Sequence, residues 1–128
     1  MRDQVIAYLT ALGVTGAGDD ALLDMVIDKT TFRVRNETNV SADTLPEGLE
    51  SVAVDMAVGE YLKYKKTTGQ LTGFDLEAAV KQIQEGDTNI SFAMGEGSST
   101  PEQRLNSLID YLINGRFGEL RRFRKVIW

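Results

Sequence analysis

Apolar residues recur along this chain mostly at helical spacing. In "DQVIAYLTALG", Val5, Leu9 and Leu12 fall at i, i+4 and i+7, one stripe of a 3.6-residue period, and Gly13 supplies a stop. Past the glycine-marked loop "TGAG", Leu22, Val26 and Thr30 form one row, with Leu23 and Ile27 beside it. Asp19 or Asp20 stands where a carboxylate caps a helix start and complements its dipole. The strongest pattern is "LPEGLESVAVDMAVGEYLKYKKTTG". There Leu49, Val52, Ala53, Met56 and Ala57 make a core stripe, and Pro46 fits the first helical position. Glu47 and Glu50 lie at the positive end of that helix, and Lys63, Lys65 and Lys66 at the negative end. In "TPEQRLNSLIDYLINGR", Leu105, Leu108, Ile109 and Leu112 repeat the helical stripe. Thr100 with Gln103 reads as a capping box, Pro101 as the first helical residue, and Asn114-Gly115 as the end.

Three stretches do not follow that scheme. The helix of residues 46–66 has a second apolar side, Val54, Val58 and Tyr61. Such a helix is buried on more than one face, either as the centre of its own core or against another subunit. In "NISFAM", Ile90, Phe92 and Met94 share one side of an extended strand. The "EGD" turn lets "AAVKQIQ" pair with that strand as a β-hairpin, favoured here over a short helix, with an extended loop, over about residues 79–99. The final "RFGELRRFRKVIW" forms no clean amphipathic strand or helix, and reads as a segment that needs a partner to choose its conformation. The expected fold is therefore mainly α. It is a compact bundle of about four helices over residues 1–115, with a small β-hairpin or extended loop, and an extended C-terminal tail over 116–128.

Composition narrows the chemistry. With 128 residues, 42% apolar and 26% charged, the chain has the make-up of one folded domain. It has no Cys and no His, which removes the usual zinc ligands, the usual base near neutral pH and the thiol nucleophile. No enzyme activity, metal or cofactor is expected. Asp20, Asp24 and Asp28 lie at i, i+4 and i+8, but like charges at that spacing repel, and a solvated face is the better reading. No apolar run approaches the roughly 18 residues of a membrane helix, and "MRDQVIAYL" does not read as a signal peptide. The glycines of "GEGSS" fit no phosphate-cradling motif. Charge is split unevenly. From Arg116 onward there are five basic residues and one acid, net +4; before it stand nine basic and eighteen acidic residues, net −9. A body and a tail of opposite sign attract each other, within a chain or between copies.

Taken together, "LPEGLESVAVDMAVGEYLKYKKTTG", "VKQIQEGDTNISFA" and the terminal "LRRFRKVIW" resemble the head–tail connector (adaptor) proteins of long-tailed double-stranded DNA bacteriophages. Their order and spacing agree with that family, and the first two helices also fit, so the resemblance covers most of the chain. It implies a structural virion protein of the phage neck, located at the head–tail interface and in host cytoplasm during assembly. It implies a homo-oligomeric ring, expected to be twelvefold, beneath the portal, which extends the channel through which DNA passes without specific binding. The partners implied are the portal protein and, on the tail side, a neck, stopper or tail-completion protein. Portal docking would fall to Leu120, Arg121, Arg122, Phe123, Arg124, Lys125, Val126, Ile127 and Trp128, and packing between subunits to Val54, Val58, Tyr61, Ile90 and Phe92. The alternative is a small nucleic-acid-binding domain that uses the basic tail on phosphates, a reading opposed by the acidic body.

Overall fold

In a computed structural model, which describes residues 1–40, 45–71 and 101–123, the described residues form four α-helices. They are α1 (Arg2–Ala11), α2 (Ala21–Thr38), α3 (Glu47–Thr67) and α4 (Pro101–Asp110). A short 3-10 turn, Ala17–Asp19, leads into α2. Beyond α4 the chain widens into a π turn, Tyr111–Gly115, and then tightens into a 3-10 helix, Phe117–Phe123. The described residues contain no strand. The expected hairpin at 79–99, with Ile90 and Phe92, lies outside them, as do Thr100 of the capping box and the residues after Phe123.

The helix signals act largely where the sequence puts them. α1 buries Val5 and Leu9, Leu12 follows them into the core, and Gly13 reverses the chain at φ +89°. The Asp20 carboxylate caps α2, accepting the Leu22 N–H at 3.0 Å. α2 ends on Asn39, a left-handed residue at φ 57°. Pro46 sits one place earlier than expected: its carbonyl accepts the first helical bond, from Glu50, so it precedes α3 and Glu47 opens the helix.

α3 is the central element, packed against α1, α2, α4 and both C-terminal turns. Two apolar clusters share it. The larger joins Val5 and Leu9 of α1, Leu23 and Val26 of α2, Val58 and Leu62 of α3, and Leu105 and Leu108 of α4. The smaller joins Val34, Leu45, Leu49, Val52, Met56 and Leu120. Every large buried residue of this kind withdraws enough apolar surface to contribute about 1.5–3 kcal/mol.

The second apolar side of α3 is thereby accounted for. Val54, Val58 and Tyr61 are 7%, 0% and 2% exposed and belong to the larger cluster of their own chain. This corrects the expectation that they pack between subunits: α1, α2 and α4 already cover that side. Tyr61 also has its polar end satisfied, its hydroxyl donating to Asp20 Oδ2 at 2.9 Å. Lys65 forms an ion pair with the same oxygen. Asp20 thus caps α2 while tying it to the last turns of α3.

That network makes stability depend on acid. The Lys65 ammonium holds the Asp20 carboxyl below its ordinary range; desolvation opposes this, and the Leu22 N–H and Tyr61 hydroxyl reinforce it. Desolvation, then the neighbouring Asp20 carboxylate, pushes the Tyr61 hydroxyl up. A carboxyl lowered in the folded state contributes stability above its unfolded value, about 3.9, and loses it as pH falls through the lower folded value. Below about pH 4, Asp20→Asn should therefore show a shallower fall of unfolding free energy than the wild type, measured by urea titration. Parallel slopes would mean that Asp20 is not charged in the folded pair.

Candidate docking surface at the C-terminal segment

The C-terminal segment begins on Arg116, a half-buried guanidinium between two acids. Its Nε and Nη2 donate to the two carboxylate oxygens of Glu119, at 2.7 and 3.1 Å. Its Nη1 reaches back to α3, donating to Asp55 Oδ2 at 2.9 Å and Ser51 Oγ at 3.0 Å. The planar fork suits this task, since it engages one carboxylate through two parallel bonds and still has a donor for another. Glu119 and then Asp55 raise the Arg116 guanidinium above its ordinary value, despite some desolvation, and Arg116 lowers Glu119 in return.

From this clamp the chain runs as a 3-10 helix, in which residues three apart share a side. Phe117, Leu120 and Phe123 are so spaced, and all three pack on the smaller apolar cluster. Leu120 is 3% exposed. Phe117 is half-buried, with the Arg33 guanidinium 5.2 Å from its ring centre, within cation–π range. The Phe123 ring lies over Gly48, so close that an added Cβ there would stand 2.8 Å from Cζ. Arg121 and Arg122 point to solvent.

The proposed docking residues therefore separate. Leu120 is a core residue of its own chain, which corrects its assignment to an external surface, and Phe123 is half-buried against the body. Arg121 and Arg122 are exposed and accessible. Arg124, Lys125, Val126, Ile127 and Trp128 lie outside the described residues, as do Ile90 and Phe92. Of the extended tail expected over 116–128, the part up to Phe123 instead packs on α2 and α3, in line with the attraction between tail and body that the charge split allows within one chain.

Arg116 and Asp55 were missed as an organising pair. The available signal was Asp55 itself, one carboxylate inside the apolar run "VAVDMAV". A charge placed there needs a partner, because burying it unpaired is costly. The three-residue spacing of Phe117, Leu120 and Phe123 was also present, but it matches neither a strand nor an α-helix.

Chemically, the surface offers the exposed guanidinium groups of Arg121 and Arg122 on a segment seated against the body. Among the described residues no three potential ligands converge as a metal site. Nor, among them, is any helix long and apolar enough to cross a membrane. Comparison with protein-family models, with curated proteins and with solved structures finds no match to this chain.

Proposed function

We propose that the chain is a head–tail connector of a bacteriophage neck, assembling as a ring beneath the portal and docking to it through its C-terminal end. The reading draws on the resemblance of its three sequence stretches. The observation that carries it is Arg121–Arg122, exposed at the end of a 3-10 helix clamped by Arg116 and Leu120. The clamp fixes the position of Phe123, and the sequence that follows it, "RKVIW", adds two more basic and three large apolar residues to Arg121 and Arg122. An acidic portal surface with apolar pockets matches that chemistry, and addition of the end as a strand would supply backbone bonds. The acidic body suits the wall of a channel that lets DNA pass without holding it.

The packing of Leu120 decides how to test this. Deletion must begin after Phe123, so that the core survives. A chain lacking 124–128 should keep its melting point within a few degrees and bind portal at least about 30-fold more weakly, the consequence of losing one interface hot spot of about 2 kcal/mol. Binding equal to the wild type in a portal titration would remove the docking role. Low-salt DNA binding that vanishes with the same deletion would instead favour the nucleic-acid reading.

A further inference from the structure

Asn114-Gly115 reads in the sequence as a helix end, and the structure adds what surrounds the pair. Both residues are exposed and close the π turn, just before the Arg116 clamp. Asn followed by Gly is the labile order of these two residues. The Asn side-chain carbonyl carbon comes within reach of the next backbone nitrogen, and Gly has no Cβ to shield that nitrogen. Two contacts act on the pair, in opposite directions.

The first contact requires the glycine. A Cβ at residue 115 would stand 2.5 Å from Tyr111 Cδ2 and 2.9 Å from Tyr111 Cε2. The Tyr111 ring packs against the larger apolar cluster, so it cannot simply swing aside. Packing thus demands Gly at the place where Gly opens the preceding amide to attack. The second contact restrains the asparagine. Its Nδ2 donates to Asp110 Oδ1 at 3.0 Å, one turn back. That bond draws the Asn114 side chain toward the N-terminal end of the helix, the direction helical side chains favour, and away from the Gly115 nitrogen.

We propose that Asn114 is a site of spontaneous deamidation, held in check by Asp110, whose product loosens the Arg116 clamp. The Gly115 nitrogen gives its proton to solvent and attacks Asn114 Cγ. A new C–N bond forms, the Cγ–Nδ2 bond breaks, and the departing group takes up a proton and leaves as ammonia. Water then opens the cyclic imide. Cleavage at Cγ gives an ordinary aspartate; cleavage at the main-chain carbonyl gives an isoaspartate, whose main chain runs through Cβ and Cγ. Either product is ionised at neutral pH. It sets a second carboxylate four residues from Asp110, where a hydrogen bond had been. The isoaspartate also lengthens the main chain just ahead of Arg116, whose N–H donates to the Asn114 carbonyl and whose guanidinium holds the segment to Asp55 and Ser51. None of this chemistry depends on the connector reading.

The test is incubation of the full folded chain at mildly alkaline pH, beside Asp110→Ala, Asp110→Asn and the wild type unfolded in urea. Tryptic peptide mapping by mass spectrometry reads conversion at 114 separately from the other asparagines. Asp110 is exposed, so circular dichroism should show both variants folded. The folded wild type should convert more slowly than the unfolded chain. Asp110→Ala should convert about 2- to 10-fold faster than the folded wild type, the effect of releasing one net hydrogen bond. Asp110→Asn keeps an acceptor oxygen and should stay near the wild-type rate. Asp110→Ala converting no faster than the wild type overturns the restraint, and so does Asp110→Asn converting as fast as Asp110→Ala. A folded chain that never converts at 114, while the unfolded one reacts fully, overturns the site. The deamidated chain, separated by anion exchange, should be cut by trypsin after Arg116 at least about twofold faster than the unmodified chain, for the hydrogen bond lost. Equal cleavage rates overturn the link to the clamp.

Discussion

A chain carrying Gly59→Val should unfold at a distinctly lower temperature than the wild type, with a loss of about 1–3 kcal/mol from overpacking. For a domain of this size, each kcal/mol lowers the melting point by roughly 3–6 °C. Gly59 lies in the middle of α3 and is buried. A Cβ placed there would stand 2.8 Å from both Leu112 Cβ and Ile113 Cγ1, and 3.2 Å from the Ile109 carbonyl oxygen. Two of these atoms cannot swing away: Leu112 Cβ is fixed to its backbone, and the Ile109 oxygen belongs to the backbone itself. The absent side chain is therefore what lets α3 and the end of α4 approach so closely. Helix propensity alone says the opposite, because Gly→Ala in a helix interior is worth about 1 kcal/mol in favour of Ala. Gly59→Ala should thus show the same sign as the valine variant, with a smaller loss. A Gly59→Ala chain more stable than the wild type, measured by urea or thermal unfolding, would show that the two elements do not meet there.

The contrast between α1 and α3 explains how much of this was legible in the sequence. α1 has one apolar stripe, and Val5, Leu9 and Leu12 are buried where the period places them. A helix with a single buried face writes that face into its sequence. α3 is covered on several sides, and its sequence states only that the cover exists. Whether Val54, Val58 and Tyr61 met their own chain or another depended on where α1, α2 and α4 fall around it, which no local pattern encodes. The same applies to Asp20, Tyr61 and Lys65. Asp20 was readable as a cap, but its bond to a hydroxyl 41 positions away in the chain is a product of tertiary packing. In the C-terminal segment the missing element was the period. Phe117, Leu120 and Phe123 repeat every three residues, the stripe of a 3-10 helix, and Arg121 and Arg122 look irregular only when judged against 3.6 or 2.

Leu120→Asp should produce the other large loss, and it separates the two roles that the terminal sequence combines. Leu120 is 3% exposed among Val34, Leu49, Val52 and Met56. Truncating a buried leucine costs about 2–5 kcal/mol, and a carboxylate in the same place adds the penalty of an unpaired charge in an apolar site. Since marginal domains have only about 5–15 kcal/mol in total, the 3-10 helix should detach from α3 or the whole chain unfold. Urea unfolding would give the size of the loss, and near-ultraviolet circular dichroism would report the aromatic side chains that pack with Leu120. The double variant Arg121→Glu, Arg122→Glu is the informative contrast. Both side chains are exposed, so stability should stay within roughly 0.5 kcal/mol per substitution. Under the connector proposal its portal binding should nonetheless collapse, because the charge offered to an acidic partner has been reversed. Neighbouring positions would then fail for different reasons: 120 because the segment loses its seat, 121 and 122 because a correctly seated segment presents the wrong charge. A Leu120→Asp chain that unfolds like the wild type would put residue 120 outside the core and restore it to the exposed surface.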